Sequence, residues 1–132
     1  MTKQLLQTTT AGSLPKPAWL AEPLKLWAPW RLEGQDLEEA QRDAVRLVLR
    51  DQEKAGVDIV SDGEQTRRHF VTTFIRRLAG IDFEKSRTIK IRDRYDADVP
   101  VVTGPVMRKS PVYVKDARFH RAETDCQVKF TL

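Results

Sequence analysis

Two short stretches carry the polar side chains that a ligand-binding or reactive site would need. In the first, Val57-Asp58-Ile59-Val60-Ser61 runs into Asp62-Gly63-Glu64, so a β-branched apolar run stops at two carboxylates flanking a glycine. Carboxylates so placed can hold a cationic group, and the glycine lets the backbone turn sharply or approach a ligand closely. In the second, Thr8-Thr9-Thr10 leads into Ala11-Gly12-Ser13-Leu14-Pro15-Lys16-Pro17, where a hydroxyl and loop N–H groups can meet an anion. Each has a plainer reading. Asp62 can simply cap a following helix with Glu64 in its first turn, and the threonines can be a strand ended by a proline-stiffened loop. His69 is a candidate ligand or base, but a lone histidine beside Phe70 is more often structural.

Periodicity and turn residues give the strands and helices that carry these groups. Val57, Ile59 and Val60 predict a buried parallel strand, whose C-terminal end is where α/β folds bind ligands. The clearest helix begins at Asp36, with Asp36 and Glu39 in a capping-box arrangement and Leu37, Ala40, Ala44, Leu47, Val48 and Ala55 on one face; Gly56 stops it. Arg42, Arg46 and Arg50 alternate with acids on its outer face, which reads as solvated. With the threonine strand this helix makes a β-α-β unit. Gln65 to Leu78 predicts an amphipathic helix carrying Phe70, Val71, Phe74, Ile75 and Leu78. Thr88 to Arg92 reads as a half-exposed strand with a hairpin partner near Tyr95, and Asp98 to Val106 as a further short apolar strand ended by Gly104 and Pro105. Tyr113 to Glu123 predicts a short helix or turn, and Asp125 to Leu132 a strand with Cys126, Val128, Phe130 and Leu132 on one side. Between Trp19 and Trp30, Pro23 breaks any long helix, so an irregular excursion is expected that packs on the fold or covers a pocket.

Composition narrows the class. At 132 residues the chain can bury a modest core but falls short of the about 250 residues of an eight-unit barrel. The 23 basic and 19 acidic residues leave a formal charge of +4, with acids interleaved among Arg67-Arg68 and Arg76-Arg77, a weak pattern for nucleic acid. The lone Cys126 excludes an intramolecular disulfide framework, which fits a reducing compartment, and no segment reaches the roughly 20 apolar residues of a membrane span. A cytoplasmic protein with no membrane and no nucleic-acid partner is expected. The chain ends on an apolar strand residue, which predicts a truncated product or part of a larger fold, and self-association through an unfinished sheet edge.

Taken in order, Thr-Thr-Thr-Ala-Gly-Ser-Leu-Pro, Val-Asp-Ile-Val-Ser-Asp-Gly-Glu and Val-Val-Thr-Gly-Pro-Val resemble the strand ends of the first part of the catalytic barrel of cobalamin-independent methionine synthase and its shorter single-barrel relatives. The resemblance covers essentially the whole chain. It implies an α/β fold, a partial (β/α)8 TIM barrel with a small β-hairpin insertion, and residues 1–132 as the N-terminal portion of one barrel domain. It also implies methyl transfer to the sulfur of homocysteine, from a methylated folate or a methyl-corrinoid protein, with a catalytic zinc. By the same resemblance Ala11, Gly12 and Ser13 lie where the family holds homocysteine's amino-acid end, and Glu64 matches the carboxylate that binds its ammonium. Asp62 matches a neighbouring, variable position. The family's zinc ligands lie beyond the third strand, and neither His69, His120 nor Cys126 matches one, so no catalytic or metal-binding residue is assigned here. Two alternatives stay open: a non-catalytic half-barrel or basic binding module using Arg67, Arg68, Arg76 and Arg77, and a related zinc-dependent alkyl transferase acting on another thiol.

Overall fold

The computed structural model describes residues 6–23, 29–69 and 72–131. Its elements in chain order are α1 (Gly34–Lys54), β1 (Ile59–Ser61), α2 (Thr72–Ile75), β2 (Leu78–Ile91), β3 (Tyr95–Arg108), α3 (Val114–Ala122) and β4 (Gln127–Lys129). They fall into two units, residues 1–70 with 113–132, and residues 71–112.

The first unit is an α/β layer. Thr9 forms a parallel bridge to Ile59, and β1 pairs in parallel with β4 in the register Ile59↔Gln127, Val60↔Val128 and Ser61↔Lys129. The threonine stretch, β1 and β4 therefore lie side by side in chain order, with α1 connecting the first two. One face of α1 packs Ala40 and Ala44 with Leu20 against Trp30, Leu32 and Leu37. A turn further on, Val45 and Leu49 meet Val60, with Phe119, Cys126 and Val128 packed around them. Each fully buried Leu or Val here contributes about 1.5–3 kcal/mol. Cys126 is a packing residue, as its strand pattern suggests.

The face of α1 differs from the expected one. Leu47 is exposed, whereas Val45, Leu49 and Gln52 join Val48 inside, because the buried strip runs at i, i+3, i+4 and i+7 from position 45. The helix also starts before Asp36: Glu33 is the N-cap without a side-chain bond, and Asp36 sits in the first turn, where its negative charge interacts favourably with the positive end of the helix dipole rather than forming a capping box. Gly56 ends the helix at φ +74, its N–H bonded to the Glu53 carbonyl, as a C-terminal glycine should.

The second unit is a long antiparallel hairpin of β2 and β3 preceded by α2. The turn expected near Tyr95 is present, with Ile91 opposite Tyr95 and Arg92 and Asp93 both left-handed. Two expectations need correction. Asp98 to Val106 is no strand of the parallel layer but part of β3, with Val102 and Val106 exposed and Ala97, Val99 and Val101 paired to β2. Of the helix expected over Gln65 to Leu78, only Thr72–Ile75 is helical; Gln65 to His69 is turn and irregular chain, Leu78 opens β2, and Phe70 and Val71 lie outside the described residues. The left-handed conformations of Gly63 and Glu64, and the long-range burial of Gln65 and Arg67, outweigh helix propensity there.

Of the tryptophan-rich excursion, Leu20 is fully buried and Ala21 bridges Trp30, while residues 24–28, including Trp27, lie outside the described residues. Leu132, expected on the face of the last strand, also lies outside them. No helix among the described residues is long and apolar enough to cross a membrane.

Candidate functional site

Asp58 first locks the threonine stretch onto β1. Its carboxylate accepts the N–H and hydroxyl of Thr8 at 2.7 and 2.8 Å, and these donors hold its pKa below the usual carboxylate range. Further along, Gln52 of α1 is 4% exposed and fully engaged. Its Nε2 donates to the carbonyls of Val48 and Ser61, both at 2.8 Å, and its Oε1 accepts Ser61 N–H at 3.0 Å and the Thr10 hydroxyl at 3.2 Å. The Thr10 and Ser61 hydroxyls lie 3.0 Å apart, Gly63 N–H donates to Ser61 Oγ at 3.3 Å, and Lys129 Nζ donates to the Thr10 carbonyl. One helical amide thus fixes the C-terminal ends of two adjacent strands, and the hydroxyl chain extends to the glycine of the turn.

Beyond those ends the loop of residues 11–17 docks on the Asp62-Gly63-Glu64 turn. Leu14 N–H donates to the Gly63 carbonyl at 3.1 Å, and Gln65 Nε2 reaches the carbonyls of Leu14, Pro15 and Gly63 at 3.1, 3.4 and 3.2 Å. Gly63 is required twice over: its φ is +59, and a Cβ there would lie 3.1 Å from Leu14 Cβ. Asp62 is 3% exposed and accepts Glu64 N–H at 3.0 Å, so it shapes the turn instead of capping a helix. Glu64 holds φ +56, a conformation uncommon for a residue with a side chain, and is partly exposed. Ala11, Gly12 and Ser13 are exposed on the facing loop, with Gly12 at φ +74. The structure therefore brings the two sequence-predicted stretches together, one offering N–H groups and a hydroxyl, the other a carboxylate.

Three charged or polar side chains around this turn escape sequence reasoning. Arg67, read as part of a basic helix face, is 3% exposed; its guanidinium lies 5.1 Å from the Tyr113 ring centroid and 5.9 Å from that of Phe130. That burial removes it from any phosphate-binding patch. Gln65 is fully buried, and His120 is 1% exposed with its ring 6.4 Å from that of Phe130. Lys16, a cation between two prolines of the docked loop, is likewise given no role by the sequence. Burial pushes the pKa of His120 down, against the nearby Asp62 carboxylate, and burial also pushes that of His69 down. Among the described residues no group of three His, Cys, Asp or Glu side chains converges to hold a metal. His120 sits beside an aromatic ring and Cys126 in the apolar cluster, so the zinc donor set that the resemblance implies is not met by these residues.

Comparison with known proteins identifies the family. Residues 6–132 match the family model described as cobalamin-independent synthase, catalytic domain. A methionine synthase of Sulfolobus acidocaldarius is 35% identical over 118 residues, 89% of this chain and 34% of that protein. A methionine synthase of Sulfurisphaera tokodaii is 47% identical over 79 residues, 60% of this chain and 23% of that protein. The solved structure of a B12-independent methionine synthase from Shewanella sp. W3-18-1, in complex with selenomethionine, superposes with a TM-score of 0.90 at 60% identity, over 98% of this chain and 38% of that one. The chain thus spans well under half the length of the relatives it matches.

Proposed function

The chain belongs to the cobalamin-independent synthase catalytic-domain family, and from that premise we propose that residues 1–132 are the N-terminal portion of one (β/α)8 barrel carrying part of the homocysteine site for S-methylation. The observation that carries the reading is the docking of the 11–17 loop on the Asp62-Gly63-Glu64 turn, at the C-terminal ends of adjacent parallel strands.

Homocysteine's amino-acid end presents an ammonium and a carboxylate to the protein. Glu64 accepts the ammonium's hydrogen bonds, Gly12 and Ser13 offer N–H and hydroxyl donors to the carboxylate with Ala11 lining the same loop, and Asp62 keeps Glu64 in place through its bond to Glu64 N–H. Gripping both ends of the amino acid fixes the direction of its thiol side chain, which is this chain's contribution to rate: orientation of the acceptor. The family's zinc finds no donor set among the described residues. The donor in this reading is a methylated folate or a methyl-corrinoid protein.

Selenomethionine, bound in the Shewanella relative, is the selenium analogue of methionine, the expected product. In crystals of the full-length protein carrying this chain, selenium's anomalous signal locates the ligand. The reading predicts its amino nitrogen about 2.7–3.2 Å from the Glu64 carboxylate and its own carboxylate at the Gly12–Ser13 loop. An amino group held by other residues contradicts it.

A further inference from the structure

Lys16 stands on the docked loop three residues after Ser13, and its position is fixed from both sides. The carbonyl of Pro15 just before it is held by Gln65 Nε2, and the carbonyl of Pro17 just after it accepts the N–H groups of Leu20 and Ala21 at 2.9 and 3.2 Å. Its side chain is half-buried, with Nζ 5.9 Å from the centroid of the Trp30 ring, whose π face limits where the ammonium can swing. Lys85, Lys90 and Lys115 are far more exposed, yet each has a carboxylate within 4.0 Å. Among the described residues Lys16 has none, although it lies in the field of Glu64 and Asp62.

Burial without a counterion pushes the Lys16 pKa down, Arg67 pushes it the same way, and the two carboxylates oppose them. Around the turn and the loop, Lys16 and Glu64 are the partly exposed charges, one of each sign, with Arg67 and Asp62 buried behind them as a second such pair. A site so balanced repels neither end of a zwitterion, whereas a bare amine or a bare acid leaves one charge unpaired.

We propose that Lys16 is a further binding residue of this site, the cation that receives the carboxylate of a zwitterionic amino-acid thiol while Glu64 receives its ammonium. The proposal rests on the reading of Glu64 given above. Ser13 and the loop N–H groups supply directional donors, and Lys16 supplies the full charge they lack. It thereby sets the specificity for α-amino acids over simple aminothiols.

The test compares homocysteine with 3-aminopropane-1-thiol, the same molecule without its carboxylate, by calorimetric titration of the full-length protein carrying this chain. Lys16→Met keeps the aliphatic stem and removes the charge. It should lose about 10- to 100-fold in affinity for homocysteine and stay within about twofold for the aminothiol. Lys16→Arg, which keeps the charge, should retain most of the homocysteine affinity and guards against misfolding of the first variant. Equal losses for both ligands, or no loss for homocysteine, overturn the proposal. Glu64→Ala in the same titration should weaken both ligands. If it weakens neither, the reading of Glu64 fails independently of the Lys16 result.

Discussion

Glu64 and Gly63 occupy left-handed backbone conformations in succession, φ +56 and +59, and only the glycine does so without cost. Holding a side-chain-bearing residue there costs about 1–2 kcal/mol, compensated by the docked loop. Gly63→Ala adds a strained conformation and a Cβ pressed against Leu14. It is expected to destabilise the protein by about 1–2 kcal/mol and to weaken homocysteine binding by shifting Glu64. Thermal melting and titration check this; an unchanged midpoint would mean that the turn relaxes freely. At this scale Ser13, Asp62 and Glu64 were legible because polar groups at the ends of β-branched runs announce themselves. Lys16, Gln65 and Arg67 were not, because their burial depends on contacts with residues tens of positions away, such as Gln65 with Leu14 and Arg67 with Tyr113 and Phe130.

At the level of elements, α1 and α3 are tied by Arg46, whose Nε and Nη2 grip both Glu123 oxygens at 2.9 Å while its guanidinium lies 5.2 Å from the Phe119 ring centroid. That pair is partly exposed, so it is worth about 1 kcal/mol at most. The inner side of α3 carries the more consequential group. His120 is buried with neither ring nitrogen hydrogen-bonded among the described residues, and the charged groups that act on it are Asp62 and Arg121. Its folded pKa lies below the ordinary 6.5, so as pH falls through 6.5 the unfolded chain binds a proton that the folded chain refuses. Stability should therefore decline from about pH 7 toward pH 5, above the range where Glu123 and Asp58, both held low by their hydrogen-bond donors, become protonated. His69 shifts the same way and adds to the slope. His120→Gln should flatten the decline in calorimetric melting temperature without abolishing it; an unchanged slope would assign it wholly to His69. α1, α3 and the β2–β3 turn were legible from periodicity and punctuation. The helix expected after Glu64 was not, because helical spacing of Phe74, Ile75 and Leu78 also suits a single turn leading into a strand.

For the whole molecule, order along the chain proved a weaker guide than pattern within it. Val101-Val102-Thr103-Gly104-Pro105-Val106 looks like the first two strand ends, yet it belongs to the hairpin unit, and the parallel partner of β1 is the Gln127–Lys129 strand. A short apolar run ended by Gly-Pro does not reveal whether its neighbours are parallel or antiparallel, since either sheet accepts it. The family match spans residues 6–132, the opening loop, α1, the Asp62-Gly63-Glu64 turn and the hairpin alike, so it does not depend on where that one run is placed. The most direct test of the account is calorimetric titration of homocysteine into the full-length protein and its Glu64→Ala variant. Loss of a charge-assisted hydrogen bond to the ammonium predicts a weakening of about 1.5–3 kcal/mol in a variant that still folds. Unchanged affinity would remove Glu64 from the site and with it the role assigned to the docked loop and turn.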